Sequence, residues 1–198
     1  MDFDSKAKTW DDSERTERAR IVAGRIRERV RLTQEMTGFE FGCGTGLLSF
    51  ALRNDLGQIT LADSSDGMLE VLQAKIAAAG IGNMRPVKLD LAVDPLPAER
   101  YDLVYSLMTL HHIEDTGKVL RDLHTLLKSP GALCVADLDH EDGSFHREEF
   151  SGHDGFDREE LKSQVEQAGF RKVSFSTVLK VNKDGRDYPV FLMVAEKG

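Results

Sequence analysis

The stretch Thr37-Gly38-Phe39-Glu40-Phe41-Gly42-Cys43-Gly44-Thr45-Gly46 decides how this sequence is read. Phe39 to Phe41 has the apolar character of a buried strand end, and Gly42 to Gly46 is a tight loop. The following Leu47-Leu48-Ser49-Phe50-Ala51-Leu52 has helical spacing. Strand, glycine loop and helix in that order make a nucleotide-binding start. Glycine at every second position lets backbone pass close to a ligand with no Cβ in the way, and the free N–H groups of the helix start face that ligand. A dinucleotide fingerprint would place its third glycine at position 47, which is Leu47. An acid, Glu40, instead stands two residues before the first glycine. A carboxylate there suits a cation and repels a diphosphate.

Glu40-x-Gly42-x-Gly44-x-Gly46 is the pattern of the first motif of class I S-adenosylmethionine-dependent methyltransferases, and the sequence resembles that family from this point on. The implied cofactor, S-adenosyl-L-methionine (product S-adenosyl-L-homocysteine), carries an ammonium and a sulfonium, which matches the acid. The resemblance places Glu40, Gly42, Cys43, Gly44, Thr45 and Gly46 against the cofactor. Upstream, Phe3-Asp4, Ala7 and Trp10-Asp11 are similar to the Phe-Asp-x-x-Ala-x-x-Tyr-Asp opening of the quinone-biosynthesis (UbiE-like) group, with Trp10 in the tyrosine position. In that group the segment folds over the cofactor as a lid, so the resemblance puts Trp10 near the site; a frayed terminus with a surface aromatic is the alternative. Asp12 or Ser13 caps an expected helix to about Leu32, with Ala19, Val22, Ala23, Ile26 and Val30 on one face.

Downstream, Gln58 to Asp63 reads as a second strand ending in an acid 21 positions after Gly42. A carboxylate there bridges a ribose diol or, alternatively, caps the helix carrying Met68, Leu69, Leu72 and Ile76. The family places Met68 close to the adenosine, and has an apolar residue after the acid where this chain has Ser64. Pro86 to Leu91 reads as a third strand, whose end, Asp90 and Leu91, corresponds to the family's adenine-binding acid and ring cover; a turn ahead of Asp94-Pro95 is the alternative for Asp90. Tyr101 to Ser106 is the fourth strand, and by resemblance Ser106 and Leu107 face the reacting methyl. In the following His111-His112 pair, His111 is the first candidate for a catalytic base, or else a core imidazole held by hydrogen bonds. The amino-group DNA methyltransferase motif (Asn/Asp)-Pro-Pro-(Tyr/Phe) is absent at Ser106 to Thr109.

Gly117 to Lys128 is expected as a helix and Ala132 to Asp137 as the fifth strand. Residues 138–156, with His146, Glu148, Glu149, Phe150, His153 and Phe156, form a polar loop punctuated by aromatics, expected to cover the acceptor. Its histidines lack a tight metal-ligand spacing, so no metal is expected. Asp157-x-x-Glu160 opens a helix to Ala168-Gly169, and runs Val173 to Val181 and Tyr188 to Ala195 make a terminal hairpin. The expected fold class is α/β: a Rossmann-like, seven-stranded, mostly parallel sheet, helices on both faces, with the family strand order 3-2-1-4-5-7-6. The 198 residues fit a single domain: a lid and helix at 1–35, a cofactor-binding core at 36–138, and an acceptor-side loop, helix and hairpin at 139–198.

Composition narrows the function. A formal charge of −8 with no lysine–arginine block, apart from a helix at 15–31 where acids alternate, argues against nucleic acid as a partner. No apolar run reaches a membrane span, and Met-Asp-Phe-Asp is too acidic to open a signal peptide, which makes the cytoplasm the expected compartment. Cys43 and Cys134 are too far apart in sequence to suggest zinc or a disulfide framework. The expected activity is methyl transfer to a small-molecule acceptor. A non-catalytic S-adenosylmethionine-binding subunit or sensor is the alternative, and a nicotinamide-dependent oxidoreductase the third.

Overall fold

The computed structural model describes residues 3–146 and 150–198. A short helix α1 (Phe3–Lys6) and a 3-10 turn (Ala7–Thr9) precede the longer α2 (Ser13–Arg29). Then follow β1 (Thr37–Phe41), α3 (Leu47–Leu52), β2 (Gln58–Asp63), α4 (Asp66–Ala78), β3 (Met84–Lys88) and β4 (Tyr101–Leu107). The second half holds a 3-10 turn (Leu110–His112), α5 (Thr116–Leu126), β5 (Leu127–Leu138), α6 (Arg158–Gln167), β6 (Arg171–Lys183) and β7 (Arg186–Lys197).

The strands form a single seven-stranded sheet in the order β3-β2-β1-β4-β5-β7-β6, as expected. β1 to β5 run parallel and β7 enters antiparallel between β5 and β6. The order switches direction at β1 and β4, so their carboxyl ends open a crevice for a ligand. The inner strands are apolar on both sides because both faces are covered. One face buries Leu61, Leu103, Tyr105 and Cys134 against α2 and α3, and the other buries Phe39, Val104, Leu133 and Val135 against α5 and α6.

α2 packs through the stripe Ala19, Val22, Ala23 and Ile26, all essentially inaccessible. Burying Ile26 alone contributes about 1.5–3 kcal/mol, so Ile26→Asp would detach the helix. The Asp12 side chain accepts from Arg15 N and caps its start. The helix stops at Arg29, earlier than the expected Leu32, because Val30 is extended. Other boundaries differ from the sequence reading too: β4 and both hairpin strands run one or two residues further than expected, and two differences are larger. α5 ends at Leu126 and β5 begins at Leu127, since Pro130 holds its predecessor extended and Leu127 pairs with Tyr101. β3 spans Met84–Lys88, which puts Asp90 and Leu91 beyond the strand, in a turn where the Asp90 side chain accepts from Ala92 N at 2.9 Å. The terminal hairpin turns at Asp184 and Gly185, both with positive φ, as a two-residue turn requires. Among the described residues no helix is long and apolar enough to cross a membrane.

Candidate functional site

One cleft lies over the carboxyl ends of β1, β2 and β4, and its floor is the glycine loop. Gly42 has φ +61°, and a Cβ there would sit 2.1 Å from Thr109 Cγ2, so only glycine lets Thr109 close behind the loop. Thr109 Oγ1 donates to Gly42 O at 3.1 Å. Gly44 has φ +52° and differs: a Cβ there would meet only Trp10 Nε1 at 3.7 Å and Met68 Sδ at 3.9 Å. That room leaves the Gly44 backbone bare for a ligand to approach. The loop is pinned from β2, where Cys43 N donates to Ala62 O at 3.0 Å and Gly44 N to Asp63 Oδ2 at 2.7 Å.

Three acids line this cleft: Glu40, Asp63 and Asp90. Asp63 Oδ1 also accepts Ser65 N at 2.9 Å. Burial raises the Asp63 pKa, although these backbone N–H groups pull the other way. Glu40 is only 2% exposed, and its carboxylate accepts from the Ser49 hydroxyl and, at 3.2 Å, from Ser49 N. Burial pushes its pKa up to about 8. Burial likewise pushes the Cys43 thiol well up, so it lines the cleft as an apolar surface rather than a nucleophile.

The N-terminal segment folds back over the cleft. Asp4 Oδ1 accepts Gly67 N at 2.9 Å and the Ser65 hydroxyl, which lowers the Asp4 pKa. Asp11 receives both the Thr45 hydroxyl and the Lys75 ammonium. Between these two ties, Phe3 and Trp10 pack edge to face at 5.8 Å, and both line the cleft. The Arg15 guanidinium stacks 4.4 Å above the Trp10 ring.

Of the residues expected at the cofactor, Trp10, Glu40, Gly42, Cys43, Gly44, Thr45, Asp63, Ser64, Met68, Asp90, Leu91 and Leu107 line this one cleft. Three expected site residues do not line it. Gly46 faces the core, where a Cβ would lie 2.6 Å from Leu72 Cδ1. Ser106 is buried in β4 with its Oγ unpartnered, because the strand alternation turns it away from the opening. His111, the expected base, is 1% exposed and sits behind the wall with Nδ1 2.6 Å from Asp137 Oδ1. His112 occupies the cleft wall instead, with Met108, Thr109 and Ile113.

His112 packs against His111 at 4.1 Å and edge-on to Phe3 at 5.2 Å. Burial, then the neighbouring His111 and His146, push its pKa down to about 3, which leaves a neutral imidazole at neutral pH. From the expected acceptor cover, His146 stacks on Phe150 at 3.7 Å, and both rings pack on the histidine pair. His153 N donates to His111 O at 2.7 Å and closes the segment down. Glu148 and Glu149 of that cover lie outside the described residues. Among the described residues no group of three or more His, Cys, Asp or Glu could hold a metal ion.

Arg15 and Arg18 also line the cleft, and the sequence reading missed both by taking their helix face as solvated. The available signal was their i,i+3 spacing beside the buried stripe that starts at Ala19.

Residues 39–131 match a family described as a methyltransferase domain. An uncharacterized methyltransferase of Schizosaccharomyces pombe is 35% identical over 118 residues, 56% of this chain and 42% of that protein. The ubiquinone/menaquinone biosynthesis C-methyltransferase UbiE of Psychromonas ingrahamii is 31% identical over 111 residues, 55% of this chain and 44% of that protein. The chain thus spans less than half the length of these two relatives. Among solved structures, a SAM-dependent methyltransferase from Aquifex aeolicus superposes with a TM-score of 0.69 at 22% identity, covering 96% of this chain and 97% of its own.

Proposed function

From the chain's place among the class I S-adenosylmethionine-dependent methyltransferases, similar to the UbiE group, we propose that it transfers the methyl group of S-adenosylmethionine to a small-molecule acceptor. The observation that carries this reading is the single cleft in which a bare glycine backbone and the acids Glu40, Asp63 and Asp90 converge. The donor set fits the cofactor. An open cradle at Gly44 admits the amino-acid portion, and carboxylates suit its positive charges and ribose hydroxyls but oppose a pyrophosphate.

When bound, the cofactor supplies a methyl already activated by its sulfonium. The chain's own residues then bind, orient and exclude water. Asp63 would hold the ribose diol and Asp90 the adenine amine, with Leu91 and Met68 as apolar cover. Glu40 would take the ammonium. Phe3 and Trp10 close the cleft from above, held by the Asp4 and Asp11 ties. Alignment of this kind contributes about 7–11 kcal/mol to barrier lowering without a dedicated base. The acceptor would enter past Leu107, Met108, His112 and Ile113, a wall whose character suits a ring or alkyl body. His112 is the imidazole that could take an acceptor hydrogen bond, with His111 and Asp137 positioning it from behind. Quinone-type carbon methylation, the activity for which the Psychromonas relative is named, is one such chemistry.

The test is formation of S-adenosylhomocysteine from S-adenosylmethionine with a panel of small phenols, quinols, amines and carboxylic acids. Cofactor affinity is measured in parallel by calorimetry. Turnover on a panel member supports the transferase. Tight cofactor binding with no turnover on any acceptor points to the sensor.

A further inference from the structure

Arg18 stands apart from the other charged groups of the cleft. It projects from α2 into the cleft wall, and also borders a shallow groove between α2 and β6. Its neighbour Arg15 is committed: Nη1 donates to Asp12 and, at 3.5 Å, to Trp10 O, and the guanidinium lies over the Trp10 ring. Arg18 makes no hydrogen bond and no ion pair among the described residues, although it is half-buried. Burial, then the Arg15 charge, lowers its pKa, while Asp12 and Glu14 work to raise it. A guanidinium drawn out of water without a partner is costly, and its fork of donors matches a planar carboxylate or a phosphate. The chain's formal charge of −8 makes a paired-cation wall the more unusual.

We propose that Arg18, with Arg15 beside it, is an anion receptor that takes a carboxylate inside the reaction cleft. This rests on the reading of the cleft as the methyl-transfer site. The chemistry has two sources: the carboxylate at the amino-acid end of the cofactor, or a carboxylate carried by the acceptor. Arg18 lies at the α2 side of the cleft, and Asp63 and Asp90 line its β2–β3 side. The cleft therefore carries its acids Asp63 and Asp90 on one side, where the nucleoside would sit, and a cation on the other.

Calorimetry on the whole chain, wild type against Arg18→Gln and Arg18→Lys, separates the sources. The probes are S-adenosylhomocysteine, its decarboxylated analogue S-adenosyl-3-thiopropylamine, and benzoate added to the S-adenosylhomocysteine complex. Loss of about ten- to a hundredfold in S-adenosylhomocysteine affinity in the Gln variant, with the decarboxylated analogue unchanged, assigns the cofactor's carboxylate. Unchanged S-adenosylhomocysteine affinity with benzoate binding lost assigns the acceptor's. In either case the Lys variant falls between, since it keeps the charge but not the fork. Unchanged binding of S-adenosylhomocysteine, with benzoate bound equally or by neither protein, overturns the proposal. Benzoate held through Arg18 by a wild type that binds no S-adenosylhomocysteine would sustain the anion site and sink the transferase reading. Thermal melts of the variants check that each is folded.

Discussion

Asp63 Oδ2 accepts the Gly44 amide at 2.7 Å, so the acid that ends β2 fixes the loop that ends β1. Its other oxygen accepts Ser65 N at 2.9 Å, and each oxygen keeps a lone pair for a ribose hydroxyl. Asp63→Ala removes both the proposed ribose partner and the tie to the loop. S-Adenosylhomocysteine affinity should fall by at least about tenfold, the loss of one charged hydrogen-bonding partner. Asp63→Asn should fare little better, because its amide nitrogen cannot accept from either backbone N–H. Wild-type calorimetry for Asp63→Ala would remove the residue from the site.

If Glu40 takes the cofactor's ammonium as proposed, cofactor binding should depend on pH. Its folded pKa of about 8 leaves it protonated at neutral pH before ligand arrives. A cation beside it favours the carboxylate, so binding releases a proton and affinity rises with pH. The slope should reach up to about tenfold per unit at neutral pH and level off above about pH 8. Stability has the opposite sign. Glu40 holds its proton more tightly folded than unfolded, so its contribution is lost as pH rises from the ordinary glutamate value of 4.5 through about 8. Glu40→Gln should flatten both profiles, and a binding series in several buffers checks the first.

The loop glycines should fail in different ways. A Cβ on Gly42 would meet Thr109 Cγ2 at 2.1 Å, so Gly42→Ala should cost about 2–4 kcal/mol in denaturant unfolding, overpacking added to a left-handed backbone. At Gly44 the nearest atom is 3.7 Å away, and Gly44→Ala should cost only about 1 kcal/mol of stability. Its methyl would nevertheless occupy the cradle and weaken S-adenosylhomocysteine binding. Equal stability losses in the two variants would contradict this geometry.

The lid ties should govern exchange rather than global stability. Asp11→Asn weakens the contacts to Thr45 and Lys75. Half-exposed ion pairs contribute about 0–1 kcal/mol, so the melting temperature should barely move. Amide hydrogen exchange in residues 3–10 should accelerate, and S-adenosylhomocysteine should dissociate faster. Unchanged exchange there would mean that the segment is held by Phe3 and Trp10 packing alone.

The elements and most of the cleft floor were legible because they rest on local patterns: Glu40 and the glycines, Asp63 at a strand end, and the period of each apolar run; the strand order followed from the resemblance to the methyltransferase family. What escaped depends on rotation about an element axis or on partners far away in sequence. Whether His111 or His112 reaches the wall depends on the pitch of a three-residue 3-10 turn, and Asp137, which holds His111, lies 26 residues on. Gly46 reads like its two predecessors but packs on Leu61 and Leu72 from other elements. Ser106 shares its strand with Leu107, yet only Leu107 opens on the cleft. Arg15 and Arg18 look like any charged pair on a helix until Trp10 folds beneath the first and leaves the second unpaired.

A crystal structure of the complex with S-adenosylhomocysteine tests whether this cleft holds the cofactor. Ribose hydroxyls should lie on Asp63, the adenine edge at Asp90, and the homocysteine portion over Gly42 to Gly44 beneath Trp10. A ligand bound outside this cleft, or one whose homocysteine portion points away from the glycine loop, would contradict that placement.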